Sequence, residues 1–139
     1  MSGMRTYMEL HLAARRELLP TEGDQAGNVA RELLAAAAGK TVEDLVANLR
    51  YYAPENVEQR LADYLRRYLA GEPLAYILGQ WEFHGMTLTV TPDVLIPRDD
   101  TEAVTQLAIH RLKLLTTPNP RVLDLCAGSG CIGLAIARE

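Results

Sequence analysis

The sequence predicts a mainly helical chain that ends in the opening unit of an α/β domain. Apolar residues recur at helical spacing through the first half of the 139 residues. Two β-prone runs then meet at Gly85. Last come a short apolar run, a glycine-rich loop and a helical Ala/Ile/Leu pattern. We therefore expect a helical bundle over residues 1–72, followed by a β-hairpin and a first βα unit over residues 73–139.

Four amphipathic helices are predicted before residue 71. We expect Pro20 to end the first, because proline lacks an N–H group, and Gly39 to cap the end of the second. Thr41 with Asp44 resembles a capping box, and Pro54 fits a first helical turn. The expected apolar faces are Tyr7, Leu10, Ala14 and Leu18; Val29, Leu33 and Ala37; Val42, Leu45, Val46 and Leu49; and Val57, Leu61, Tyr64, Leu65 and Tyr68. Short loops between such helices predict a bundle that folds independently.

The second half is predicted to alternate between extended and helical segments. Residues 80–84 and 86–90 form the expected hairpin, and residues 93–96, between two prolines, an extended piece. Asp100 is expected to cap a helix whose apolar face comprises Val104, Leu107, Ala108, Leu112 and Leu115. Residues 122–125 suit a strand buried between neighbours. We expect the region after residue 118 to be poorly stabilised in this chain alone, and we interpret the chain as the front part of a longer enzyme.

Composition excludes several classes of protein. The net charge of -4 disfavours a general nucleic-acid binder. No apolar run approaches the length of a membrane helix, and residues 1–12 carry charges that do not fit a signal peptide. A cytoplasmic location is therefore expected. The histidines are scattered, so no metal site is predicted, and the arginine pairs at 15–16 and 66–67 are interpreted as solvated helix faces.

Structural roles are predicted for two further pairs of side chains. Cys126 and Cys131, five positions apart, do not have metal-ligand spacing, and small buried side chains are expected. Trp81 and Phe83 are expected to pack the hairpin against a helix rather than to touch a substrate.

The glycine-rich loop carries the predicted chemistry. Gly128 and Gly130 allow a sharp turn and close backbone approach to a ligand at a helix N-terminus. With Gly133 they also match dinucleotide-binding spacing. Asp124, at the strand end, would repel a pyrophosphate and suits the cationic groups of S-adenosylmethionine. The residues alone leave three possibilities open: a methyltransferase, which the acid favours, a dinucleotide enzyme, and a structural turn.

Residues 71–79, 82–85 and 94–102, together with this loop, closely resemble the HemK/PrmC family of protein-(glutamine-N5) methyltransferases. The resemblance is specific over residues 71–137 and weaker over residues 1–70, where only the helical character matches. It implies a truncated Rossmann-like (α/β) domain that binds S-adenosylmethionine and a front bundle that holds the protein substrate. The family's substrates are peptide chain release factors, methylated on the glutamine of a Gly-Gly-Gln motif.

Carried over by position, the resemblance implies a cofactor site in two segments. The loop residues are Asp124, Cys126, Ala127, Gly128, Ser129 and Gly130. The second segment contributes Arg98, Thr101 and Glu102, although a local ion pair between Arg98 and Glu102 is the structural alternative. Cys126 stands where many relatives have glycine and Asp99 where proline is common, and we expect position 126 not to need a positive φ.

The family's Asn-Pro-Pro-Tyr motif, which receives the target amide, does not occur in this sequence. No catalytic residue is therefore assigned, and the 139-residue chain is expected to be inactive. Two alternatives to a release-factor methyltransferase are a methyltransferase of ribosomal-protein glutamine and a non-catalytic helical module that docks a protein.

Overall fold

The computed structural model describes residues 4–139, so the start of the N-terminal segment 1–12 lies outside the described residues. The chain divides into two compact units, a helical unit, Met1–Leu78, and a hairpin unit, Gly79–Glu139. The first contains α1 (Tyr7–Glu22), a 3-10 turn (Gly23–Gln25), α2 (Ala26–Ala38), α3 (Val42–Ala47), α4 (Glu55–Leu69) and α5 (Leu74–Leu78). The second contains β1 (Gln80–Phe83), β2 (Met86–Thr89), α6 (Asp99–Lys113) and α7 (Cys131–Arg138). The predicted mainly helical chain with a hairpin is confirmed. No helix among residues 4–139 is long and apolar enough to cross a membrane.

The start of α1 is fixed by a capping box and by a distant backbone segment. The Thr6 hydroxyl accepts the Glu9 N–H at 3.2 Å, and the Glu9 carboxylate accepts the Thr6 N–H at 2.7 Å. Hydrogen bonds from the backbone and hydroxyl of Thr6 hold the pKa of Glu9 below its ordinary value. The N–H groups of Tyr7 and Met8 donate to the carbonyls of Tyr51 and Leu49 at 3.0 and 2.9 Å. Two N–H groups that lack partners within the helix are thus satisfied by a segment far along the chain.

Pro20 does not end α1, contrary to the prediction. The helix continues to Glu22, and its C-cap is Gly23, whose φ is 54°. Proline removes its own N–H donor and crowds the preceding turn, but the following turn retains the bond from the Gly23 N–H to the Leu19 carbonyl. The hydroxyl of Thr21 adds a bond to the Leu18 carbonyl at 3.0 Å. The four residues predicted for the apolar face of α1 are all buried, as expected.

Helix α2 lies at the centre of the helical core and ends as predicted. Gly39 takes the left-handed conformation, with φ 64°. Its N–H donates to Ala36 at 3.1 Å and that of Lys40 to Ala35 at 3.0 Å, the paired bonds of a Schellman motif. The predicted positions Val29, Leu33 and Ala37 are buried. They join a single core with buried residues of α1, α3, α4 and α5.

The remaining helices of this unit depart from the predictions at three points. The Thr41 hydroxyl caps α3 by accepting the Asp44 N–H, as predicted. Of the four residues predicted for its apolar face only Leu45 is buried, and Val46 is 48% exposed. Pro54 occupies the N-cap of α4 rather than its first turn. Helix α5, of five residues, was not predicted.

The two neighbouring arginines of α4, Arg66 and Arg67, differ in exposure and in their ion pairs. Arg66 pairs with Asp63 and is largely exposed, which confirms the interpretation as a solvated face. Arg67 is only 31% exposed and donates two bonds, at 2.6 and 2.7 Å, to the Glu72 carboxylate. For Arg67 the interpretation was wrong, because a two-pronged guanidinium–carboxylate pair ties the end of α4 to the following turn.

The predicted hairpin is confirmed. Antiparallel pairing runs from Gln80 opposite Thr89 to Phe83 opposite Met86, which leaves a two-residue turn at His84 and Gly85. Both turn residues have positive φ, 48° and 68°, as a type I′ turn requires. Phe83 is 1% exposed and packs against Cys131 and Ala135 of α7, which confirms the predicted packing on a helix for Phe83. Trp81 is half-buried and is not part of that core.

The segment that leads into α6 differs from the predictions. Residues 92–94 form a turn closed by a bond from the Val94 N–H to the Thr91 carbonyl, so residues 93–96 are not wholly extended. Asp100 lies inside the first turn of α6, and the N-cap is Arg98. The buried positions of α6 are Thr105 and Ile109. Among the residues predicted for its apolar face, Val104, Leu107 and Leu115 are exposed.

Residues 122–125 form no strand, contrary to the prediction. Leu123 and Leu125 are 79% and 77% exposed. A strand needs a neighbour to accept its backbone hydrogen bonds, and within residues 4–139 the only sheet is the two-stranded hairpin. The helical half of the predicted βα unit does form, as α7.

Gly27, inside α2, and Gly39, at its C-cap, make a matched test of helix stability. Gly27 lies within the helix, where an added Cβ would meet its nearest atoms at 3.8 Å, an ordinary contact. We expect Gly27→Ala to raise the free energy of unfolding by about 0.5–1 kcal/mol, because alanine loses less backbone entropy in a helix. Gly39→Ala should lower it by about 1 kcal/mol, because φ there is 64°. Urea denaturation followed by circular dichroism measures both, and changes of the same sign would contradict this assignment.

Candidate functional site

The glycine-rich loop between residues 124 and 130 turns through three positive φ angles. They belong to Cys126, Gly128 and Gly130, at 57°, 58° and 78°. Gly130 is the N-cap of α7, and its N–H donates to the Ala127 carbonyl at 2.9 Å. Residues 126–129 are exposed. The two glycines therefore have the backbone freedom that was predicted, in a loop that is open to solvent.

Cys126 corrects two predictions. Position 126 does adopt a positive φ, which costs an L-residue on the order of 1 kcal/mol and explains why a glycine would be favoured there. The side chain is also exposed, whereas Cys131 is 7% exposed and packs in the hairpin core. Only Cys131 fits the expectation of a small buried side chain.

Asp124 holds the start of α7. Its Oδ2 accepts the Gly133 N–H at 3.1 Å, and the Ser129 hydroxyl accepts the Cys131 N–H at 3.3 Å. These N–H groups belong to the first helical turn, which offers unpaired donors and the positive end of the helix dipole. Asp124 thus acts as a cap nine positions away from the group that it binds.

Gly133 lies where Asp124 of the loop comes close to the first turn of α7. An added Cβ would lie 3.2 Å from Asp124 Oδ2 and 3.7 Å from Asp124 Cβ. The third glycine of the dinucleotide-like spacing therefore has a structural reason, namely room for the capping carboxylate. Sequence reasoning noted Gly133 only for its spacing and missed this contact.

The loop leaves donors and acceptors available to a ligand. Within residues 4–139, the N–H groups of Gly128 and Ser129 donate to no acceptor, and Asp124 Oδ1 receives no hydrogen bond. A Cβ added at Gly128 would meet no atom within 4 Å, so the space in front of this backbone is open. A carboxylate oxygen beside free N–H groups fits a ligand that carries both an ammonium and a carboxylate, such as the methionine end of S-adenosylmethionine.

The second predicted segment lies at the start of α6. Arg98 and Glu102 are exposed, and no ion pair joins them in the part of the chain that the structure describes, so the structural alternative is not found. Thr101 accepts the hydroxyl of the buried Thr105 at 2.8 Å through its carbonyl. No hydrogen bond in residues 4–139 joins residues 98–102 to residues 124–130. A cofactor role for the second segment stays a prediction.

Glu102 instead belongs to a group of contacts around the hairpin turn, which we call the turn clasp: His84, Gly85, Glu102, Gln106 and Arg138. The Glu102 carboxylate accepts the His84 N–H, and the His84 ring bonds Gln106 Oε1 at 2.7 Å. Arg138, in the last turn of α7, donates to the Gly85 carbonyl at 2.8 Å. Side chains of α6 and of α7 thus both form hydrogen bonds with the turn between β1 and β2. Sequence reasoning missed the clasp because its members are far apart in the chain.

The capping role of Asp124 is testable by substitution. Asp124→Ala should lower protection of the Gly133 amide from hydrogen exchange, with about 1 kcal/mol of local stability lost at the start of α7. Asp93→Ala, which removes an exposed carboxylate from an irregular segment, is the control and should leave that amide unchanged. Equal exchange rates at Gly133 in the two variants would refute the capping role.

Comparison with known proteins gives the family. Residues 9–79 match the sequence model of the PrmC N-terminal domain. The chain belongs to this family. The match covers the helices α1 to α5, so the resemblance to PrmC proteins, expected to be weak before residue 71, extends through the helical unit.

Curated relatives agree with the PrmC assignment. The release factor glutamine methyltransferase of Coxiella burnetii is 42% identical over 107 residues, which cover 77% of this chain and 38% of the relative. That of Bradyrhizobium diazoefficiens is 37% identical over 129 residues, or 92% of this chain and 43% of the relative. That of Bordetella pertussis is 54% identical over 71 residues, or 51% and 26%. The chain spans about two-fifths of the length of the first two relatives.

Proposed function

We propose that this chain is the N-terminal part of an S-adenosylmethionine-dependent methyltransferase that modifies release factors. The modified group is the side-chain nitrogen of the glutamine in the Gly-Gly-Gln motif. Residues 1–72 hold the protein substrate, and residues 73–139 begin the catalytic domain. The names of the relatives support this function, and the structural observation that carries it is the open glycine loop beside Asp124, which caps α7.

The loop is suited to bind the methyl donor. Asp124 keeps one oxygen on the helix N-terminus and has the other free for a cationic group. Gly128 and Gly130 allow the backbone to come close to S-adenosylmethionine, and the N–H group of Ser129 is able to donate to its carboxylate. Cys126 and Ala127 form the exposed bend between the acid and the glycines.

The reaction makes demands that these residues do not meet by themselves. When bound, S-adenosylmethionine supplies an electrophilic methyl group. A glutamine amide nitrogen is a weak nucleophile because its lone pair is delocalised into the carbonyl. Transfer therefore requires the amide to be held in line with the methyl group and its developing charge to be stabilised. The Asn-Pro-Pro-Tyr motif that serves this purpose in the family is not in the 139-residue sequence.

A non-catalytic docking module is the second candidate, and one observation favours it. The helical unit has its own buried core, which involves residues between Tyr7 and Ile77 and none from the hairpin unit. Such a unit is able to present a protein-binding surface independently of a catalytic domain. Pull-down of a release factor with and without S-adenosylmethionine separates a docking role from a catalytic one.

The proposed activity is tested by mass spectrometry of a release factor incubated with S-adenosylmethionine. The protein whose N-terminal part is this chain should add one methyl group to the Gly-Gly-Gln glutamine. The 139-residue chain alone should add none, since it lacks the motif that positions the amide.

Two controls make the assay specific. A release factor with that glutamine replaced by alanine should stay unmodified, and a mixture of ribosomal proteins tests the alternative substrate. Methylation of a ribosomal protein in preference to the release factor would reassign the substrate, and methylation by the 139-residue chain would contradict the expected inactivity.

A further inference from the structure

A cluster of basic side chains lies where α1 packs on α2. His11 and Arg15 are one turn apart on α1, and Arg31 is on α2. Arg15 Cδ and Nε lie 3.8 Å, and Arg31 Nη2 4.0 Å, from the position that a Cβ on Gly27 would take. Two guanidinium groups from different helices thus converge over the same glycine. We call this set of three side chains the basic cluster.

No carboxylate neutralises the basic cluster. In residues 4–139, the ion pairs of the helical unit join Arg5 to Glu58, Arg66 to Asp63 and Arg67 to Glu72. Neither arginine of the cluster takes part in one. This is notable because the chain carries 18 acidic and 14 basic residues, so acids are available. Two like charges held together without a counter-charge form a site that an anion would stabilise.

The imidazole of His11 lies in the electric field of the two arginines. Its Nδ1 is buried and has no hydrogen-bond partner among the described residues. Burial, followed by the charges of Arg31 and then Arg15, lowers the pKa of the imidazole. An anion seated between the two arginines would cancel part of their field and would raise that pKa.

The surroundings of the cluster indicate the kind of anion. Met8 and Leu12, one turn apart on α1 and on either side of His11, are 39% and 45% exposed. Together with Arg15 they follow the spacing of one helical face. A nucleic-acid backbone would use a larger basic surface and would not need apolar contacts, and the net charge of -4 opposes a polyanion. A protein segment with acidic and apolar side chains satisfies both features.

We propose that Arg15, Arg31 and His11, flanked by Met8 and Leu12, form a docking site for a protein segment whose aspartate or glutamate side chain lies between the two guanidinium groups. The carboxylate accepts hydrogen bonds from Arg15 and Arg31, and an apolar neighbour in the segment covers Met8 and Leu12. The site rests on the proposed role of residues 1–72 in holding a protein substrate, and it uses no residue of the glycine loop.

The test follows the His11 imidazole by NMR in the full 139-residue chain at constant ionic strength. The probes are a blocked Leu-Glu-Glu-Leu peptide, its Leu-Gln-Gln-Leu counterpart and inorganic phosphate. The glutamate peptide should raise the pKa of His11 in a saturable way, and the glutamine peptide should not. Arg31→Gln and Arg15→Gln should each weaken binding of the glutamate peptide by about tenfold.

Arg16→Gln is the matched control, because Arg15 and Arg16 are both exposed on the same helix and only Arg15 lies beside Gly27. It should change the affinity by no more than about twofold. The proposal would be overturned by equal binding of the two peptides, by tighter binding of phosphate, by an equal effect of Arg16→Gln, or by no response of His11. Spectra of each variant without peptide establish that it is folded.

Discussion

Replacing Leu18 with alanine is expected to lower the free energy of unfolding of the helical unit by about 3 kcal/mol. Leu18 is 0% exposed and lies in the core that joins α1 to the other helices of the unit. The substitution removes buried methyl groups and leaves a cavity that the surrounding helices fill only in part. For a domain of this size, such a loss is a large part of the total stability. Urea denaturation followed by circular dichroism measures it.

The adjacent residue provides the control. Leu19, on the same helix, is 50% exposed, and Leu19→Ala should cost less than about 0.5 kcal/mol. The two variants make the same chemical change at neighbouring positions, so helix propensity cancels between them. A loss of less than about 1 kcal/mol for Leu18→Ala, or equal losses for both, would show that this face of α1 is not the core.

Gly130→Val, in the proposed full-length methyltransferase, is expected to abolish S-adenosylmethionine binding while the helical unit stays folded. Gly130 has a φ of 78° and is the N-cap of α7. A β-branched residue is strained in that conformation, and its side chain would occupy the place where the backbone meets the ligand. Isothermal calorimetry measures the affinity, and circular dichroism reports the fold.

Gly71→Val is the matched control for this experiment. Gly71 also has a positive φ, 96°, with no atom within 4 Å of an added Cβ, and it follows α4 rather than the glycine loop. It carries similar backbone strain and should keep wild-type affinity. If Gly130→Val kept that affinity, position 130 would be removed from the cofactor site, and if both variants lost it, general destabilisation would be the cause.

Sequence reasoning succeeded where local physics decides the structure. The apolar faces of α1 and α2, the Gly39 cap, the Thr41 cap and the turn at Gly85 each depend on residues within one or two turns of each other. In these cases periodicity, capping and positive φ are properties of short segments, so the sequence contains the information.

The failures came where partners distant in the chain decide. Val46 and Leu107 fit helical faces by spacing, yet they are 48% and 61% exposed. Residues 122–125 have the composition of a strand without a neighbouring strand among residues 4–139. An apolar pattern predicts which face would be buried, but burial itself depends on the elements that pack against it.

The same distinction applies to the candidate site. The sharp turn at Gly128 and Gly130 was predicted from the loop's composition, and the structure makes it through positive φ angles, which glycine tolerates. The capping of Gly133 by Asp124 and the binding of His84 by Glu102 join residues 9 and 18 positions apart. No local rule connects such pairs, so they emerged only from the structure.

The backbone bonds that complete the start of α1 also set an order of folding during synthesis. The N–H groups of Tyr7 and Met8 donate to the carbonyls of Tyr51 and Leu49, and the Ala53 N–H donates to the Arg5 carbonyl. These partners are translated only after α1, α2 and α3. A nascent chain arrested before residue 49 therefore leaves both N–H groups without these partners. We therefore expect the first turn of α1 to gain its full set of hydrogen bonds only after the segment that follows α3 has been synthesised.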